Sequence, residues 1–169
     1  SDALQYSGIT PSKITKVPML TPMFSSHEEA EAHTDTLYFI WTTNCALHKN
    51  HQQALKALLL YYTMHSGQIK CYITGVDTEN FFDLHRSLPH MIPVQKYFGK
   101  NQVLKTNIRS LGELPDNVYQ KMLARAVFLW HPGKIDNGTF SVLEAASVRV
   151  PSLSSDYPAM REIDTQFSL

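Results

Sequence analysis

The 169-residue chain lacks the features that mark several large classes of protein. It has only two cysteines, Cys45 and Cys71, which make no disulfide framework and, without Cys/His pairs at ligand spacing, no zinc site. It has no excess of charge. Fifteen Lys and Arg balance fifteen Asp and Glu, which removes a polybasic nucleic-acid-binding domain or an acidic tail protein as the default. The longest apolar run, Ala57 to Tyr62, is far below the ~20 residues that span a bilayer. Ser1 to Lys13 has no apolar stretch of the kind a signal peptide carries. There is no HExxH, no clustered histidine set, no internal repeat and no low-complexity segment. What is present is an ordinary balance, 43% hydrophobic and 18% charged, enough to build one core. These bounds predict a soluble, cytoplasmic single domain with no nucleic-acid partner.

Residues 1–35 differ from the rest. Pro11, Pro18 and Pro22 interrupt them, and Ser25 to His33 is a polar, acidic stretch. They read as an interdomain entry segment, with a short β segment expected at Lys13–Met19. From Thr36 onwards, through 36–169, strands and helices alternate. Thr36–Thr43 is a β-branched and aromatic run, as in a strand buried on both faces. Ala54, Leu55, Leu58, Leu59 and Tyr62 form a helical stripe within His51–His65, stopped by Gly67. Further strands are predicted at Ile69–Thr74, Asn107–Leu111, Ala126–Trp130 and Val150–Ser154. Helices are predicted from Asp77 to His85, from Leu114 to Arg125, over Ser141–Val148 and from Pro158 to Ile163. This alternation predicts an α/β fold: a doubly wound, Rossmann-like parallel sheet whose ligands sit outside the carboxyl ends of the strands.

Two loops at those ends carry polar chemistry. After Trp130 the chain runs through His131, Pro132 and Gly133 to Asp136 and Gly138, and a helix starts near Thr139. A helix start with glycine before it offers free N–H groups to an anion. Glu144 falls one turn into that helix, where it can accept from sugar hydroxyls. From spacing alone, an ordinary strand–loop–helix connection with solvated acids is the favoured reading. The other loop, Thr42 to Asn50, brings Lys49 to a helix start, where lysine can neutralise a phosphate or simply be solvated.

Several segments together resemble a family. Asp136-Asn-Gly-Thr-Phe-Ser-Val-Leu-Glu-Ala-Ala146 and Val150-Pro-Ser-Leu-Ser-Ser-Asp-Tyr-Pro-Ala-Met-Arg-Glu162 are similar to the signature of family 4 retaining glycosyltransferases. Ser110-Leu-Gly-Glu-Leu-Pro115 resembles that family's third strand and helix start, and His48-Lys-Asn50 its Arg-Lys-Asn. Lys13 to Pro18 is similar to the segment where such chains leave the N-terminal domain. The resemblance covers about Ser12 to Ile163. It implies the donor-binding C-terminal half of a GT-B enzyme, with the N-terminal Rossmann-like domain as its missing partner.

In that reading Lys49 and Asp136 are catalytic. Lys49 stabilises the charge on the departing diphosphate, without a metal or other cofactor. Gly138, Thr139 and Phe140 cradle diphosphate or sugar, Glu144 takes the ribose hydroxyls, and Leu114 packs near the base. Asn44 and His131 complete the donor-binding set. The expected donor is a nucleotide-diphosphate sugar, GDP-mannose or a UDP-sugar. The expected acceptor is a saccharide or lipid-linked sugar in surface-polysaccharide synthesis, met in the cytoplasm or at the inner membrane face.

The sequence departs from the pattern at Asp136 for Glu, His48 for Arg and Arg149 for a glycine. If position 149 needs positive φ, arginine costs up to ~1 kcal/mol there. These departures keep a non-catalytic nucleotide-sugar-binding module open as an alternative, and a GT-B epimerase is a second. Arg86, Lys96, Lys100, Lys105 and Arg109, with Tyr97 and Phe98, form a basic stretch read as a solvated connection. Cys71 reads as a core residue, and Cys45 lies near the cleft without a base beside it.

Overall fold

A computed structural model describes residues 8–13, 15, 36–86, 88–135 and 140–167. The β segment expected at Lys13–Met19, most of the entry segment, and Asp136, Gly138 and Thr139 lie outside the described residues.

The sheet is built around β1 (Tyr38–Thr42), whose first four residues are all buried. β2 (Lys70–Thr74) pairs with it along its full length, from Tyr38 opposite Lys70 to Thr42 opposite Thr74. β3 (Ile108–Ser110) lies outside β2. On the other side, β4 (Leu129–His131) joins through Ile40 opposite Leu129, and β5 (Ser152–Ser154) forms the far edge. The order is β3-β2-β1-β4-β5, and every pair is parallel. A parallel pair needs a crossover, so helices cover both faces.

The helices are α1 (His51–Met64), α2 (Ile92–Lys100), α3 (Gln102–Asn107), α4 (Asp116–Arg125), α5 (Phe140–Ser147) and α6 (Pro158–Phe167). Side chains alternate along β1 and feed two cores. Phe39 and Trp41 join Leu55 and Leu58 of α1, Val94 of α2 and Leu104 of α3. Tyr38 and Ile40 join Leu123 of α4 and Ala145 of α5. Trp41, Leu55, Leu104, Leu123 and Leu129 are fully buried, each such side chain contributing about 1.5–3 kcal/mol.

Helix ends follow local chemistry. Asn50 caps α1 from a left-handed conformation (φ 62°), which asparagine tolerates, and its carbonyl accepts the first helical bond from Ala54. After α1 the chain turns at Gly67, where a Cβ would fall 2.2 Å from the ring of Tyr61. The Tyr62 hydroxyl then donates to the carbonyl of Ile69 at 3.0 Å. α5 ends with Val150 N–H bonded to Ala145 and Arg149 N–H to Ala146, a Schellman closure. Arg149 has φ 60°, so the position does require the left-handed region that glycine adopts freely.

Two predicted segments come out differently. Asp77 to His85 is not a helix; Thr78–Asn80 and Leu84–Arg86 are single 3-10 turns. Side chains capture the backbone instead: the Thr78 hydroxyl donates to the Gly75 carbonyl, and the buried Gln95 amide donates to the carbonyls of Phe81 and Asp83. The basic stretch is not an irregular connection either, since α2 and α3 lie within it. Pro93 falls in the first turn of α2, where its missing N–H costs nothing. Elsewhere the differences are at boundaries. β4 starts at Leu129 and ends on His131, and Pro115 caps α4 from outside.

Candidate functional site

The chain winds outward in opposite directions from β1 and β4, so their carboxyl ends diverge at a topological switch point, where α/β sheets bind ligands. Two loops meet there, one after Thr42 and one after His131. They are tied to each other. The Asn50 amide donates to the carbonyl of Pro132 at 3.0 Å, and Lys134 N–H donates to that of His48 at 3.2 Å.

The loop after β1 is held from several directions. Gly75 backs onto Thr43 so closely that a Cβ would lie 2.0 Å from the Thr43 carbonyl oxygen, and its φ is 133°. His51 Nε2 donates to the Asn44 carbonyl at 2.8 Å. His90 Nε2 donates to the next carbonyl, Cys45, at 2.6 Å. Burial pushes the His51 pKa down to about 4, with the nearby His90 and Lys49 adding to the fall and the Asn44 bond opposing it. The ring is therefore neutral at pH 7, with its single proton on the nitrogen that meets the carbonyl. Lys49 ends the one-turn 3-10 helix Leu47–Lys49 on this pinned loop and is half-buried.

A carboxylate arrives from the opposite face. Glu144 of α5 is half-buried, and burial raises its pKa. The Tyr119 hydroxyl, donating to the carboxylate, opposes that rise, and the charge of Asp116 adds to it. The same hydroxyl lies 3.2 Å from Thr42 Oγ1, at the end of β1. Burial and the Glu144 charge push the Tyr119 pKa well up, so the phenol keeps its proton. A relay of Thr42, Tyr119 and Glu144 thus ties a carboxylate on α5 to the strand whose following loop carries Lys49.

The other predicted residues fall as follows. Asn44 turns its side-chain oxygen back to accept from Ala46 N–H at 3.0 Å, building the loop. Leu114 is half-buried between β3 and α4, and Phe140 is exposed at the start of α5. His131 is buried at the end of β4, beside Tyr157 at 6.3 Å between ring centroids. Asp136, Gly138 and Thr139 are outside the described residues. Beyond β5, Arg161 pairs with Asp156, Nη2 to Oδ2 at 2.6 Å, and fixes the turn into α6. The thiol of Cys45 is pushed up by burial and by Asp77 and Glu79, and that of Cys71 is raised by complete burial. Neither is a poised nucleophile. Among the described residues no three His, Cys, Asp or Glu side chains are grouped as metal ligands. Also among them, no helix is long and apolar enough to cross a membrane.

Sequence reasoning missed His51, His90 and Tyr119. The partners of His90 and Tyr119 lie 45 and 77 residues away, where no local pattern marks a contact, while His51 turns back onto Asn44 in the loop just before its own helix.

No protein-family model matches the chain, and no curated protein matches its sequence. Solved structures do. WaaG, a glycosyltransferase involved in lipopolysaccharide biosynthesis, matches at 15% identity with a TM-score of 0.54, over 78% of this chain and 32% of that one. The pneumococcal O-GlcNAc transferase GtfA matches at 13% identity and TM-score 0.56, over 72% and 21%. AviGT4, a glycosyltransferase involved in avilamycin A biosynthesis, matches at 16% and 0.50, over 76% and 35%. At these identities the likeness establishes the fold, the all-parallel Rossmann-like sheet of GT-B glycosyltransferases. The chain spans about a third or less of each of these proteins.

Proposed function

We propose that this chain, with the fold of one GT-B domain, is the donor-binding half of a retaining glycosyltransferase. Its reaction would move a hexosyl group from a nucleotide-diphosphate sugar to a saccharide or lipid-linked acceptor in surface-polysaccharide synthesis. One observation supports the reading above the others. Glu144, through Tyr119 and Thr42, is tied to the end of the strand whose loop carries Lys49.

In this reading Lys49 meets the donor diphosphate and stabilises the negative charge that grows on it as the sugar departs. Because its loop is held by His51, His90 and Asn50, that cation need not reorganise during the reaction. Glu144 accepts from the ribose hydroxyls, and the base lies towards Leu114. Asp136 meets the donor sugar, and the backbone from Gly138 to Phe140 meets its phosphates. Acceptor-side residues belong to a second domain, so turnover is expected of the full-length enzyme and not of this chain alone.

A thermal-shift series with UDP, GDP, dTDP and ADP tests the reading, since a ligand of the folded state raises its stability by RT ln(1 + [L]/Kd). One nucleotide is expected to give a selective shift that Lys49→Ala and Glu144→Ala each reduce. An equal response to all four, or a shift untouched by either variant, would contradict the site. No shift with any nucleotide, in this chain and in the full-length enzyme alike, would contradict the function.

A further inference from the structure

The charge balance of the whole chain hides an uneven distribution. The helices α1, α2 and α3, which cover one face of the sheet, contain no Asp or Glu at all. Their cations are Lys56, Lys96, Lys100 and Lys105, and all four are exposed. Through residues 36–112 the only acids are Asp77, Glu79 and Asp83, and these lie in the segment after β2 rather than on the helices.

The same layer exposes aliphatic side chains among its lysines. On α1, Lys56, Leu60 and Met64 recur at four-residue spacing on the outer side, with Leu60 52% and Met64 71% exposed. On α2, Ile92, Lys96 and Lys100 repeat the spacing, and Val103 of α3 adds to the apolar set. These helices touch one another, so the stripes share one layer. By contrast, α4 carries Asp116 and α5 carries Glu144 on the opposite face.

Lysines mixed with exposed aliphatics, on helices that carry no carboxylate of their own, are the pattern of an interfacial membrane contact. RNA fits less well. Its bases need exposed aromatic faces, whereas Phe98 is stacked on Phe82 at 3.5 Å and Tyr97 packs against the core. We propose that the outer face of α1, α2 and α3 docks on an anionic lipid bilayer, lysines on the headgroups and Leu60, Met64, Ile92 and Val103 at the acyl boundary. This inference stands apart from nucleotide binding, and its test uses no nucleotide.

Flotation of the chain with phosphatidylcholine vesicles, and with equal-part phosphatidylcholine and phosphatidylglycerol vesicles, reads the contact directly. Binding is expected only to the anionic vesicles and should fall as salt rises. The double variant Lys96→Glu/Lys100→Glu should weaken it about tenfold or more. Leu60→Ser/Met64→Ser should weaken it at high salt most of all, and Lys121→Glu/Arg125→Glu on α4 should leave it unchanged. Circular dichroism of each variant separates lost docking from lost fold. Equal binding to both vesicle types, no binding at low salt, or unchanged binding by both α1 and α2 variants would overturn the proposal. So would a lipid-independent dimer sealed by this face, or retention of single-stranded RNA in preference to anionic vesicles.

Discussion

The two helical layers of this sheet use buried polar groups in opposite ways. On the α1–α3 side His51, His90 and Gln95 each point at a backbone carbonyl. On the α4–α5 side Glu144 is half-buried with a raised pKa and the Tyr119 hydroxyl as its donor. The first arrangement holds a loop in one shape. The second keeps a carboxylate where burial disfavours its charge and one hydroxyl donor opposes that cost. On the proposed function, the first side builds the site and the second reads the ligand.

The largest expected break is on the building side. Gly75→Ala puts a Cβ against the Thr43 carbonyl oxygen in a left-handed conformation, and should cost ~3 kcal/mol or more in urea unfolding. Next comes acid. His51 is depressed to about 4 in the folded chain against 6.5 when exposed, so below pH 6.5 the unfolded state binds the extra proton. Stability should therefore fall as pH drops from 6.5 towards 4, by about 3 kcal/mol from this group, and His51→Gln should remove that part of the slope.

The reading side should respond in binding rather than in folding. Glu144→Gln removes a charge that burial disfavours, so the melting temperature should hold or rise. Nucleotide affinity in calorimetry should fall about tenfold, the value of a charged hydrogen bond. The smallest effect is at Arg149, whose φ of 60° closes α5. Arg149→Gly should raise stability by up to ~1 kcal/mol, a few degrees of melting temperature, without altering nucleotide affinity.

Much of the fold was legible because single segments carry it. The aromatic and β-branched run at Tyr38–Thr42 allows only a buried strand, and the stripe from Ala54 to Tyr62 only a packed helix. The stretch from Asp77 to Asn107 was not. Pro93 and Gly99 look like breakers although one starts a helix and the other is exposed near its end, and the turns after Asp77 depend on Gln95, which is remote in sequence. In the site, Lys49 and Glu144 were marked by the family resemblance, since spacing alone favours solvated side chains at both positions. Asn44 did not announce that its side chain would build its own loop, nor did His90 and Tyr119 reveal their partners, because only the folded sheet brings those atoms together.

The most direct measurement of the account is a calorimetric titration of the preferred nucleoside diphosphate beside its unphosphorylated nucleoside and its 2′-deoxy analogue. Lys49→Ala should weaken the diphosphate and leave the nucleoside unchanged. Glu144→Ala should weaken both ribose ligands and remove the preference for ribose over deoxyribose. Two variants that weaken all three ligands alike, or none of them, would contradict a site with a phosphate end at Lys49 and a ribose end at Glu144.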